Sequence, residues 1–139
     1  MRLKYFDTDI TDNLHKLASD NHIIVENVYD LSPETPDFSI VRRQGVFMNI
    51  NYDTDVSFNF RLAHELAHLV YGDGNIQKIY TFSEFGHRYE ELQAHRNAIR
   101  MLMSIEMPSS PLTFMSYYRV PAWLENDVTR IYNELEIAE

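Results

Sequence analysis

The run His64-Glu65-Leu66-Ala67-His68 constrains this chain more than any other feature, because its chemistry requires a helix. Residues four apart share a helical face, so the two imidazoles stand one turn apart and can hold one metal ion. Glu65, between them, reaches a water bound to that ion. The flanking residues favour the same conformation. At successive steps of about 100°, Leu62, Ala63, Leu66, Ala67, Leu69 and Val70 fall within one arc of about 160°. Arg61, His64, Glu65 and His68 occupy the other arc. The pattern predicts a half-buried helix whose polar arc lines a cleft. Zinc is the metal such a site suits: it is borderline-soft, redox-silent, matched to imidazole and carboxylate, and able to lower the pKa of a bound water toward about 7.

The rest of the composition sets the setting for that site. A chain of 139 residues fits a single domain, residues 1–139, long enough to bury about two thirds of its unfolded surface without disulfides or metal staples. With 45% apolar and 13% aromatic residues it is globular in type. Cysteine is absent, which excludes disulfides and thiolate ligands. No stretch reaches the length of a membrane span. The start, Met1-Arg2-Leu3-Lys4-Tyr5-Phe6-Asp7, lacks the apolar core of a signal peptide, so a cytoplasmic location is expected. A formal charge of −9 with no stripe of Lys and Arg argues against direct nucleic-acid binding. An acidic body would instead attract basic protein surfaces.

Periodicity supplies the other elements. Ile10, Leu14, Leu17 and Ala18 recur at helical spacing and predict a helix from about Asp9 to Asn21. The β-branched run His22–Val28 reads as a strand. Phe38–Val41 and Val46–Ile50 read as two more, joined through Arg42-Arg43-Gln44-Gly45, a turn with the glycine a hairpin wants. The two arginines are expected in solvent. Asp53, Thr54 and Asp55 offer N-cap chemistry and Gly72 and Gly74 a stop, which predicts the motif helix over Val56–Tyr71. Asp73 to Tyr89 shows no clear period and reads either as a wall or lid of the cleft or as a packed loop. A third helix runs from Glu90 to about Met107, with Pro108 and Pro111 beyond it. The tail gives a short helical piece, a turn at Val120-Pro121, and a final helix with Leu124, Val128, Ile131 and Leu135 as its stripe. The expected fold is α+β: a small sheet packed against the motif helix and further helices.

Two histidines do not complete a catalytic zinc site, which usually has three protein ligands and one open position. The common extension that adds a histidine after x-x-G-x-x fails, because Tyr71 stands at the glycine position and Gly74 at the histidine position. The third helix offers Glu91. Ala94, His95, Ala98, Met101, Leu102 and Ile105 lie within about 80° of it, so it points with the apolar face. An inward glutamate is costly unless it is paired or holds a metal. Glu91 is therefore preferred to Glu90 and to Asp73. His95, one turn later, is either a hydrogen-bond partner of a ligand or a histidine at the edge of the core. His87 and Tyr89 precede this helix and either donate to a tetrahedral intermediate or are loop residues without a chemical role. His15 and His22 are incidental.

These residues also form a wider pattern. Asn59-Phe60-Arg61-Leu62-Ala63-His64-Glu65-Leu66-Ala67-His68-Leu69, with Glu91-Leu92-Gln93-Ala94-His95 and Ala98 to Met103 downstream, resembles the ImmA/IrrE family of metallopeptidases. The segment from Phe114 to Leu124 is similar to the tail of its phage and mobile-element members. His95 stands where that family often has Asn, and Asn97 where it has Phe. The resemblance implies a zincin-like core, His64, His68 and Glu91 as zinc ligands, and Glu65 as general base. It also implies a substrate: a helix-turn-helix repressor controlling a prophage, a mobile element or a stress response. The alternative is a non-catalytic metal-binding antirepressor or sensor that sequesters its partner.

Overall fold

The β-branched and aromatic runs of the first half form a four-stranded sheet in the computed structural model, which describes residues 8–84 and 88–138. After helix α1 (Thr8–Asp20) come β1 (Ile24–Val28), β2 (Phe38–Ile40) and β3 (Gly45–Asn49). Helix α2 (Phe58–Tyr71) is followed by β4 (Ile79–Thr81), α3 (Tyr89–Ile105), α4 (Pro111–Tyr118) and α5 (Glu125–Ala138). The strand order is β1-β3-β2-β4. β1 runs parallel to β3, with Ile24 opposite Gly45, and β2 is antiparallel to both β3 and β4. Phe38 and Phe47 face each other across the hairpin and stack at 5.1 Å. Such cross-strand pairs help fix register.

Two local expectations change. The hairpin turn passes through a short 3-10 segment, Val41–Arg43, and its left-handed residue is Gln44 at φ 50°, not Gly45. Gly45 serves β3 differently: a Cβ there would stand 3.0 Å from the Phe47 ring. The connection from Asp73 to Tyr89 contains β4, which closes one edge of the sheet. Three residues are too few to show a period, and only Tyr80 of the three is buried.

Helix α2 is capped by Ser57, whose hydroxyl accepts the Phe60 N–H at 3.2 Å. Thr54, one of the expected caps, instead receives the Val56 N–H at 3.2 Å, ahead of the helix. At the far end the Gly72 N–H bonds the His68 carbonyl, and a side chain at Gly72 would collide with that same oxygen. The helix is not half-buried. Every residue from Asn59 to His68 is buried, because α1, α3 and strands β2, β3 and β4 all pack against the helix. The α2–α3 contact is the most extensive between helices, and Ala63, Ala67, Ala94 and Ala98 are all buried. Small residues there let the two backbones approach, so a larger side chain would cost about 1–3 kcal/mol by overpacking. Phe60, Leu62, Leu66, Ile99, Leu102, Phe114, Leu124 and Ile131 have no exposed surface and tie the C-terminal helices into the same core.

Candidate metal centre

The approach of α3 to α2 brings one carboxylate against two imidazoles. His64 Nε2 lies 3.0 Å from Glu91 Oε1, and His68 Nε2 lies 3.0 Å from Glu91 Oε2. One ligand atom from each residue falls within 4.8 Å of the others. Glu91 sits in the first turn of α3, where the helix dipole favours a negative charge. Neither rejected carboxylate joins the group. Glu90 turns outward to Lys78 at 2.9 Å and accepts from the Tyr80 hydroxyl at 3.2 Å, while Asp73 receives the Asn75 N–H.

The polar arc is far more enclosed than its sequence suggested. His64 and Glu65 have no exposed surface and His68 keeps 4%. Phe82 covers the His64 ring edge-on at 5.1 Å, and Tyr80 stacks on His68 at 3.8 Å with the rings 9° apart. Tyr80 and Phe82 come from β4 and the residue after it, which a period-based reading leaves as loop. Access comes from the His68 side. A cleft of about 390 Å³ there is lined by His68, Tyr71, Asp73, Tyr80, Tyr89 and Glu90. Tyr89 is exposed at the start of α3 and contributes to this wall. His87 lies outside the described residues.

Glu65 reaches toward β2. Its Oε1 accepts the Ser39 hydroxyl of β2 at 2.9 Å, whereas Oε2 is buried without a partner. Burial, reinforced by the nearby charge of Asp37, pushes its pKa well above the usual carboxylate range. Burial also pulls His64 down to about 4. For Glu91 burial acts to raise the pKa, but His64 and His68 outweigh it and bring the carboxyl down to about 2. At neutral pH the cluster therefore offers a neutral His64 beside an ionised Glu91, the protonation state a metal needs.

A metal fits these residues. His68 Nε2 is close enough to Glu91 for an ion pair, yet the contact lacks hydrogen-bond geometry and the nitrogen is buried without a partner. Glu65 Oε2 is the second orphan. Each such group costs about 1–3 kcal/mol when left unsatisfied. A cation held by the two imidazoles and the Glu91 carboxylate would give the His68 nitrogen its partner.

His95 lies inside the core, beside His64. It is fully buried among Phe60, Phe82 and Trp123, and its Nδ1 lies 3.2 Å from His64 Nδ1. Ser39 and Asp37 had no sequence signal. A serine between Phe38 and Ile40 reads as outward-facing, yet here the serine is buried and its neighbours are only partly so.

An α+β core with a His–Glu–x–x–His helix and a glutamate on the next long helix, all converging on one buried point, defines a metallopeptidase-type architecture. The family model of the IrrE N-terminal-like domain, Peptidase_M78, matches residues 2–124, and the chain belongs to that family. No curated protein and no solved structure matches it. None of the described helices is long and apolar enough to cross a membrane.

Proposed function

We propose that this chain is a zinc endopeptidase, with residues 1–139 acting as one domain, that hydrolyses a peptide bond in a cytoplasmic regulatory protein. His64, His68 and Glu91 hold the metal and Glu65 is the general base. When bound, zinc polarises the scissile carbonyl and acidifies the attacking water. The protein's own part falls to Glu65: Oε2 takes the proton of the attacking water and delivers it to the leaving amine. Ser39 holds the other oxygen, so the carboxylate is oriented through one atom and free at the other. Burial raises its pKa, so the carboxylate is a stronger base than an exposed one. Glu65 Oε2 is the single observation that carries this reading, because a metal site serving only structure needs no unpartnered carboxylate beside it.

The substrate reading rests on the family resemblance, and the cleft is compatible with it. Tyr71, Tyr80 and Tyr89 with Asp73 and Glu90 suit an extended, basic segment of a protein chain. A DNA-binding helix-turn-helix repressor of a prophage or mobile element has that chemistry. The second reading, a metal-bound antirepressor that only sequesters its partner, draws on the complete burial of His64 and Glu65, which narrows access to the His68 side.

Glu65→Gln separates the two. It keeps the shape and the metal ligands, so an enzyme retains zinc and partner binding but loses cleavage by about 10²–10⁴. Relief of repression by the variant at the parent's level, with the repressor intact, would establish sequestration instead.

A further inference from the structure

A line of contacts runs from a backbone carbonyl to the proposed metal. The Ser83 carbonyl lies 3.1 Å from His95 Nε2, His95 Nδ1 lies 3.2 Å from His64 Nδ1, and His64 Nε2 lies 3.0 Å from Glu91 Oε1. Both ends of this line are acceptors only. Three contacts call for three positive partners, whether hydrogen or cation. Two neutral imidazoles carry two hydrogens. One contact therefore lacks its hydrogen.

The geometry decides which one. A bare His95 Nε2 would set a lone pair against the Ser83 carbonyl, and two bare Nδ1 atoms would set lone pair against lone pair at 3.2 Å, both at points where no third ligand converges. At the other end His68 Nε2 and Glu91 Oε2 meet the same point, so a cation there satisfies three residues at once. The hydrogens then sit on His95 Nε2, donating to Ser83, and on His64 Nδ1, donating to His95. We propose that His95, itself fixed by the Ser83 carbonyl, is a positioning residue that holds His64 in the Nδ1–H tautomer and so directs its Nε2 at the metal. This rests on the metal-centre reading above. His68 is oriented by other means, through the face of Tyr80, so the two ligands depend on different supports.

Zinc affinity tests the relay. His95→Phe keeps a ring of similar size in the aromatic pocket but leaves the His64 Nδ1–H buried without an acceptor. It should weaken zinc binding about 10- to 100-fold, as loss of a ligand's hydrogen-bond partner typically does. His95→Asn restores one acceptor and one donor and should recover most of that loss. Long-range nitrogen–proton NMR of the zinc-loaded parent gives a readout independent of either variant: His64 should carry its hydrogen on Nδ1 and the metal on Nε2. Unchanged affinity in His95→Phe, or His64 bound through Nδ1, overturns the proposal. His64→Ala and Glu91→Ala serve as controls. If they lose zinc while His95→Phe does not, only the relay falls, and if they retain zinc the centre and the relay fall together.

Discussion

Two buried polar clusters lie one turn apart on the motif helix, and they are built to opposite rules. At Arg61 no buried side-chain atom is left without a partner. Its guanidinium pairs with Asp37 at 2.6 Å, donates through Nε to the Val56 carbonyl at 3.2 Å, and lies over the rings of Tyr52 and Phe58. The other Asp37 oxygen receives the Asn49 N–H, and the Asn49 amide bonds the Ser32 and Thr35 carbonyls. Burial raises the Asp37 pKa, and Arg61 opposes that shift. At His64, Glu65 and His68 the network stays open, with two orphaned atoms and one contact short of a hydrogen. A closed network ties β2 and β3 to the helix and asks for nothing more. An open one, equally buried, marks where a ligand completes the structure.

The contrast makes its strongest prediction at the closed cluster. Asp37→Ala leaves a buried guanidinium without its carboxylate and should destabilise the fold by about 3–5 kcal/mol. Urea denaturation with and without zinc should show the same loss, since neither Asp37 nor Arg61 belongs to the His64–His68–Glu91 group. A loss confined to the zinc-loaded protein would erase the distinction between the clusters.

Zinc should act on the open cluster alone. A free concentration 100-fold above the dissociation constant should stabilise the parent by about 2.7 kcal/mol, and a chelator should remove the gain. Glu91→Ala should abolish most of it. Thermal unfolding at fixed zinc activity measures both.

The smallest effect is a gain, opposite in sign to that of Asp37→Ala. Glu65→Gln should stabilise the metal-free protein at neutral pH by about 1–3 kcal/mol, because the amide keeps the shape but has no charge to strip of water. Folding raises the Glu65 pKa above its usual 4.5, so the unfolded chain releases this proton first and the parent loses stability as pH rises past that value. The gap between variant and parent should therefore close below about pH 4 and widen toward neutrality. Burial lowers His64 to about 4 and His95 to about 3, so both cost stability as pH falls from 6.5, but they act alike in the two proteins and cancel in the difference. A gap independent of pH would mean Glu65 is not held in a charge-hostile site.

The proximity of His64, His68 and Glu91, a group that could hold a metal ion, was legible from the chain because a helical face is a local property. Four-residue spacing sets His64 beside His68, and the apolar neighbours of Glu91 separate it from Glu90 without knowledge of the fold. The environment of those residues was not legible. Arg61 shares the polar arc of α2 with His64, yet one meets Asp37 and the other meets Glu91 and His95, and only the packing of β2 and α3 decides which. β4 escaped notice for a related reason, since three residues gain their strand conformation from pairing with β2 and not from any pattern of their own. With it went Tyr80, the residue that orients His68.

The account turns on whether the open cluster is a metal centre made from these three side chains. X-ray absorption on protein loaded with one equivalent of zinc addresses that directly. We expect one zinc per chain with two imidazole nitrogens and a carboxylate oxygen at about 2.0–2.2 Å, and loss of the ion in Glu91→Ala. Protein that releases zinc on dialysis, or a coordination shell unchanged by Glu91→Ala, would contradict it.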